Sequence, residues 1–291
     1  MPMGATSQWK IETPTTMEFD GVTGLRIRLV GGSVAVLAAE GTSTLEVSHL
    51  EGEPLQVTLE DGMLTVAHEN LSWEGLLKWL RPQRHSATVT VSVPRKCAAQ
   101  VGVVSATAVM SGMGARASVK SVSGGITLDG VTGDVDANTV SGAVEAQAIN
   151  GKLNFNTVSG DLTLADGWLE RLDVNGVSGD VTADLDLDPL GGMQVTTVSG
   201  EVVLRLPAEA DARVNLHSVS GDVRSEFAEL RRSSAPASRS VSGSLGAGSG
   251  QVSVTTMSGR VMLLRRAGHG SQDVRADDQP DNENEMEGEA S

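Results

Sequence analysis

Tyrosine is missing from the 291 residues, and the remaining aromatics, four Trp and three Phe, make up only 2%. An enzyme that holds polysaccharide on aromatic platforms is disfavoured by that scarcity. Cysteine occurs once, at Cys97, so an internal disulfide and a disulfide-stapled scaffold are excluded. Apolar runs stop at about seven residues, far short of the roughly 20 that a membrane-spanning helix needs. Basic residues are outnumbered, 22 against 37 acidic, for a net charge of −15. That balance argues against general nucleic-acid binding and against adsorption to anionic lipid. The start, MPMGATSQWKIETP, has no basic region followed by an apolar run. No secretory signal is therefore expected, and the expected location is cytoplasmic.

What is abundant is glycine, 34 residues, within a chain that is 39% hydrophobic and can bury a core. Val-Ser-Gly recurs, ending at Gly124, Gly142, Gly160, Gly179, Gly200, Gly221 and Gly243, with Met257-Ser258-Gly259 as an eighth copy. Val131-Thr132-Gly133 and Ile149-Asn150-Gly151 are half-way copies, so glycines recur every nine residues from 124 to 160. The spacing then stretches to 19, 21, 21 and 22 and closes to 16. Within a unit, Val140, Val144 and Ala146 share one parity and are expected to face inward together. An odd repeat breaks that parity and requires one corner per unit, supplied by the glycines.

Val, Thr, Ser and Gly at period two oppose a helix. Hairpins would want Asn-Gly or Asp-Gly turns, which are rare between the copies. The pattern predicts an all-β, single-stranded β-solenoid, a parallel β-helix of about 18–22 residues per coil, with rungs roughly 4.8 Å apart and a thin aliphatic interior. One coil buries too little to offset the ordering of about 18 residues, so several stacked coils and capped ends are required. Ala165–Leu172, Asp184–Gly192, Pro207–Arg213 and Glu226–Ser240 are expected to protrude as loops, the last opening on a helical turn. The doublets Arg231–Arg232 and Arg265–Arg266 read as solvated charges.

Three regions follow. Residues 1–110 form a β-strand region that starts or caps the solenoid, residues 111–266 the VSG-repeat solenoid, and residues 267–291 an acidic tail expected to be disordered. In the first region a short helix is predicted near 72–80. Trp73, Leu76, Leu77 and Leu80 stand at i, i+3, i+4 and i+7, with Ser72 as N-cap and Pro82 beyond the end. With Trp79, these residues are the candidate interaction surface. The segment reads first as a plug over the core, and otherwise as an interfacial helix giving peripheral membrane contact.

The VSG-[DEA]-[VL] units, after an opening with Trp9 and Phe19-Asp20-Gly21-Val22, resemble the bacterial "putative adhesin" or toast-rack family of β-strand-repeat domains. Composition and the low lysine share (five residues) are similar to its actinobacterial members. The resemblance covers roughly residues 9–266. It implies a β-solenoid of unassigned function and carries over no catalytic residue.

No catalytic, cofactor-binding or metal site is expected. His49, His68, His85, His217 and His269 fall at no ligand spacing with one another or with Cys97. Cys97 beside Lys96 reads as a small semi-buried residue rather than a nucleophile. No phosphate loop or GxSxG motif occurs. Asp161, Asp180, Glu201 and Asp222 occupy matching places and could stack into a carboxylate column open to cations, but Ala143, Ser244 and Arg260 interrupt it. Asp184, Asp186 and Asp188 share one strand face, and the same reading covers them. The expected function is a non-enzymatic scaffold or adhesin-like protein-interaction module whose partner is another protein or a second copy. The alternatives are a membrane-proximal sensor using Trp73–Leu80 and, weaker, a polysaccharide-acting β-helix enzyme.

Overall fold

The computed structural model describes residues 6–68, 85–235 and 238–266. Among them every regular element is a strand, 24 in all. The helix expected over 72–80 and the tail 267–291 lie outside the described residues.

The strands stack as rungs, each an arch of two strands joined by a corner. From Gly24–Leu29 and Gly32–Ala39 onward the rungs are parallel. Ile126 faces Val144, which faces Leu162, Val181 and Val202 in turn. On the other arm Ala117 faces Val135, Leu153 and Leu172. The interior is columns of like aliphatics, such as Val135, Leu153, Leu172 and Met193, all buried. Their alternation with outward polar residues fixes the register, because a one-residue slip would expose every one of them. Phe155 is fully buried here, so the thin interior does admit an aromatic ring.

The core is continuous across residues 110 and 111. The strand Thr107–Ser111 pairs with Gly32–Ala39 on one side and Ile126–Asp129 on the other, so the described strands before residue 110 belong to the same stack. Both ends are closed by antiparallel strands. At the start Thr15–Phe19 and Ser7–Ile11 pair antiparallel with Ser43–Glu51 and Leu55–Glu60. Trp9 and Phe19 meet edge to face there, with centroids 5.3 Å apart.

Several expectations are corrected. Ala165–Leu172 does not loop out, and of Asp184–Gly192 only Asp188–Gly191 bulges outward, opposite the single residue Glu170 and with Leu190 83% exposed. They lie within the long strands Leu162–Asn175 and Val181–Thr197, which absorb the extra residues as bulges between Leu164 and Gly167 and between Leu169 and Arg171. Glu226–Leu230 is a turn leading into the strand Arg231–Ala235, with Leu230 N–H donating to Phe227 O, and not a helical turn. Gly243 is not a corner. It lies inside Ser238–Leu245, which runs antiparallel to Ala212–Ser218, caps the far end and buries Val241 against it.

The largest departure is rung order. The rung Gly250–Arg266 does not follow the rung Ala212–Ser225. It is inserted before it. Val202 faces Val261, which faces Val223, and Val195 faces Val254, which faces Leu216.

Candidate functional site

Each corner is built from four positions. The first is a hydroxyl turned inward, except before the Gly179 corner, where it is Gly176. Thr139, Thr157, Ser218 and Thr256 accept the N–H of the corner glycine three residues on, at 2.8, 2.6, 2.8 and 3.0 Å. Ser121 instead donates to Gly124 O at 2.6 Å. All but the half-buried Thr157 are buried, and they satisfy backbone groups shielded from water. The repeat carries them visibly, as the Thr or Ser that precedes the valine in most copies.

The third position is the serine. Its N–H and O–H both point to the carbonyl of the apolar corner residue one rung back. Ser141 reaches Val122 O at 2.9 and 3.2 Å, and Ser159 reaches Val140 O at 2.8 and 3.2 Å. The ladder keeps the inserted order. Ser258 bonds to Val198 O, and Ser220 bonds to Met257 O. At the fourth position a Cβ on Gly142, Gly160, Gly179, Gly200, Gly221 or Gly259 would fall within 3.0 Å of the carbonyl oxygen of the glycine one rung back. On Gly124 the obstacle is Ala106 O. Close backbone approach is thus what the corner glycines serve, and Gly179 and Gly200 also hold positive φ.

The second position is the one the inward reading misplaced. Val140 points outward because the corner twists its Cβ away from Val144. Val140, Val158, Val177, Val198 and Val219 are 43–51% exposed, and Met257 is 58% exposed. In spatial order Val122, Val140, Val158, Val177, Val198, Met257 and Val219 form one apolar ridge along a corner of the solenoid. At a rung rise of about 4.8 Å the ridge runs roughly 30 Å. Backbone geometry alone does not require it, since only the carbonyl of each ridge residue is used by the serine above. At the half-way corners the equivalent Val131 and Ile149 are buried.

Asparagines and acids flank the ridge. On one side Asn156 Nδ2 donates to Asn138 Oδ1 at 3.1 Å, and Asn175 Nδ2 to Asn156 Oδ1 at 3.2 Å. On the other side runs the acidic column, whose carboxylates are engaged. Asp161 accepts the N–H of Asp180 at 2.8 Å, and Asp180 accepts that of Glu201 at 2.7 Å. Rung insertion sets Arg260 between Glu201 and Asp222, with Arg260 Nη1 3.3 Å from Glu201 Oε1. Asp222 accepts from Arg224 and Arg232, whose guanidiniums hold its carboxyl below the usual carboxylate range. Arg232 is therefore paired rather than merely solvated. So is Arg266, which reaches Asp184 at 2.9 Å and also Asp186. Among the described residues no group of three His, Cys, Asp or Glu could hold a metal ion.

A shallow pocket of about 410 Å³ lies on the outer sheet near Arg116, Asp136, Lys152, Asn154, Arg171 and Asp173. Its charges pair with one another, Arg116 with Asp136 at 2.6 Å and Arg171 with Asp173 at 2.5 Å. Cys97 is fully buried rather than half-buried, and burial pushes its thiol up to about 11, which keeps it an unreactive thiol. His68 and His85, far apart in sequence, meet with ring centroids 6.0 Å apart. His68 is buried with no partner on either ring nitrogen among the described residues, and burial, then His85, lowers its pKa to about 4. Trp73, Leu76, Leu77, Trp79 and Leu80 lie outside the described residues.

Stacked parallel rungs, glycine corners and antiparallel lids define a β-solenoid scaffold. The model of the Toastrack DUF4097 family matches residues 55–264, and the chain belongs to that family. No curated protein matches it. Among solved structures it is similar to a putative lipid binding protein from Parabacteroides distasonis, at 14% identity and a TM-score of 0.43, covering 86% of this chain and 96% of that one. It is also similar to a putative cell adhesion protein from Clostridium sporogenes, at 10% identity and a TM-score of 0.24, covering 87% of this chain and 100% of that one. A putative adhesin from Bacteroides fragilis matches at 11% identity and a TM-score of 0.33, covering 91% of this chain and 98% of that one.

Proposed function

We propose that the chain is a non-enzymatic scaffold that docks a protein partner along the corner ridge. The observation that supports this is the ridge itself, where an outward position is Val or Met on seven successive rungs although backbone bonding alone does not call for an apolar side chain. Contiguous exposed apolar surface with a polar rim marks interaction sites in soluble proteins. The rim also describes the partner. Asp161 and Asp180 on one flank, which accept backbone N–H groups and carry no ion pair among the described residues, suit an extended segment with a narrow apolar stripe and Lys or Arg along one edge.

Paired baits test the reading. Wild type is compared with the triple variant Val140→Ser/Val158→Ser/Val177→Ser and with a control that carries Ser118→Ala on the outer sheet. Stability should change little, since the substituted side chains are already half in water. Proteins retained by wild type and by the control, lost from the triple variant and released by salt support the ridge. Identical retention by all three baits removes it.

A further inference from the structure

We infer that the C-terminal rung, Gly250–Arg266, is exchangeable between copies of the chain, so that the gap between the Gly200 rung and the Gly221 rung docks the same segment of a second copy. This inference is independent of the ridge.

Three observations carry it. First, the rung enters its gap sideways. Leu245 and Gly250 both face Ala212, one on each side of it. Only Gly246–Ser249 carry the chain around the end of the strand Ala212–Ser218, which is clasped between the two arms. Every strand that forms its seat precedes it in the chain.

Second, the gap recognises ladder chemistry rather than chain identity. The glycine, serine and hydroxyl ladders continue through Gly259, Ser258 and Thr256 on both sides. The neighbouring rung carries the same grammar, with Val214 for Val252, Leu216 for Val254, Ser218 for Thr256 and Gly221 for Gly259. Nothing in that pattern distinguishes the chain's own rung from a copy's.

Third, the connection is a short glycine turn pinned by one side chain. Gly246 and Gly248 hold φ of +55° and +76°. Asp211 accepts the N–H of Gly248 at 2.5 Å, and the N–H and O–H of Ser249 at 3.1 and 2.9 Å. Opened and extended, the same four residues lead the rung away from its own gap and into a partner's, which is reciprocal exchange.

The test uses full-length chains in a Cys97→Ala background. Thr196 and Thr255 face each other across adjacent strands and both are exposed, a spacing that a disulfide can bridge. One batch carries Thr196→Cys and the other Thr255→Cys. They are mixed, unfolded in denaturant, refolded at high concentration and oxidised. The expected result is a covalent heterodimer of twice 30.1 kDa. It should form in severalfold excess over a collision control that pairs Thr196→Cys with Glu46→Cys, and its yield should rise when Asp211→Ala loosens the turn. The single-chain double variant Thr196→Cys/Thr255→Cys should close internally and run as a monomer when diluted. If that variant closes while the mixed batches yield only monomer or the collision level, the rung is not exchangeable. If it fails to close, the inserted position of the rung is itself wrong and the inference falls with it.

Discussion

Val202 faces Val261 across a parallel strand pair, although Val223 lies far nearer to it along the chain. The insertion sets the residue before Val261, Arg260, between two acids, where a sequential stack would have placed Asp222 directly on Glu201. Arg260→Glu should therefore align carboxylates at positions 180, 201, 260 and 222. The pairs are exposed, so the loss should be no more than about 1 kcal/mol in urea melts at low ionic strength. It should shrink at roughly 1 M salt, where screening is short-ranged. A loss unchanged by salt would point to packing rather than charge.

The corner glycines predict a steric effect with a built-in control. Gly142→Ala and Gly200→Ala force a Cβ against the carbonyl of the preceding corner glycine. Each should lower stability by about 1–3 kcal/mol or more. Gly125→Ala would meet nothing nearer than Ala143 O at 3.9 Å, and it should stay within about 0.5 kcal/mol of wild type. Equal losses at positions 125 and 142 would contradict the close-approach account.

Thr256 accepts the buried N–H of Gly259. Thr256→Val keeps the shape and orphans that donor, at a cost of about 1–3 kcal/mol. Thr256→Ser should retain most of the stability, and comparing the two by chemical denaturation isolates the hydroxyl.

His68 gives the protein an acid-sensitive element. Its native pKa lies near 4 against 6.5 when unfolded, so the unfolded chain binds the proton first. The contribution is fully present above pH 6.5 and is lost as the pH falls toward 4, by about 3 kcal/mol in total. Thermal melts across that interval should decline for wild type and flatten for His68→Leu. Parallel declines in the two proteins would assign the effect to other groups.

How much of this was readable beforehand differs from residue to residue. The period of Gly124, Gly142 and Gly160 was enough to foresee corners and parallel stacking, because a strand's side-chain alternation leaves few ways to place an odd repeat. The side on which Val140 lies was not readable. Parity counts hold along a straight strand, and the corner's twist intervenes between Val140 and Val144. Bulges hid Trp168 and Asp186 inside long strands, since extra residues in a spacing look the same whether they loop out or are absorbed. The hydroxyl of Thr139 could have been noticed, but its partner, the amide of Gly142, becomes buried only once a rung lies above it.

From its amino acids alone this chain was bound to build rungs, since hydroxyl, apolar residue, serine and glycine in succession mark a corner whose hydroxyl bond closes within three residues and whose serine and glycine contacts fit only another rung of the same pattern. Which rung lies on which was decided by the assembled molecule. Every rung offers its neighbours the same ladders of glycine, serine and aliphatic side chains, so local chemistry cannot rank one neighbour over another. The choice of Gly259 over Gly221 as the neighbour of Gly200 rests on long-range terms, among them the Asp211 turn, the Arg266 contacts with Asp184 and Asp186, and the antiparallel lid Ser238–Leu245.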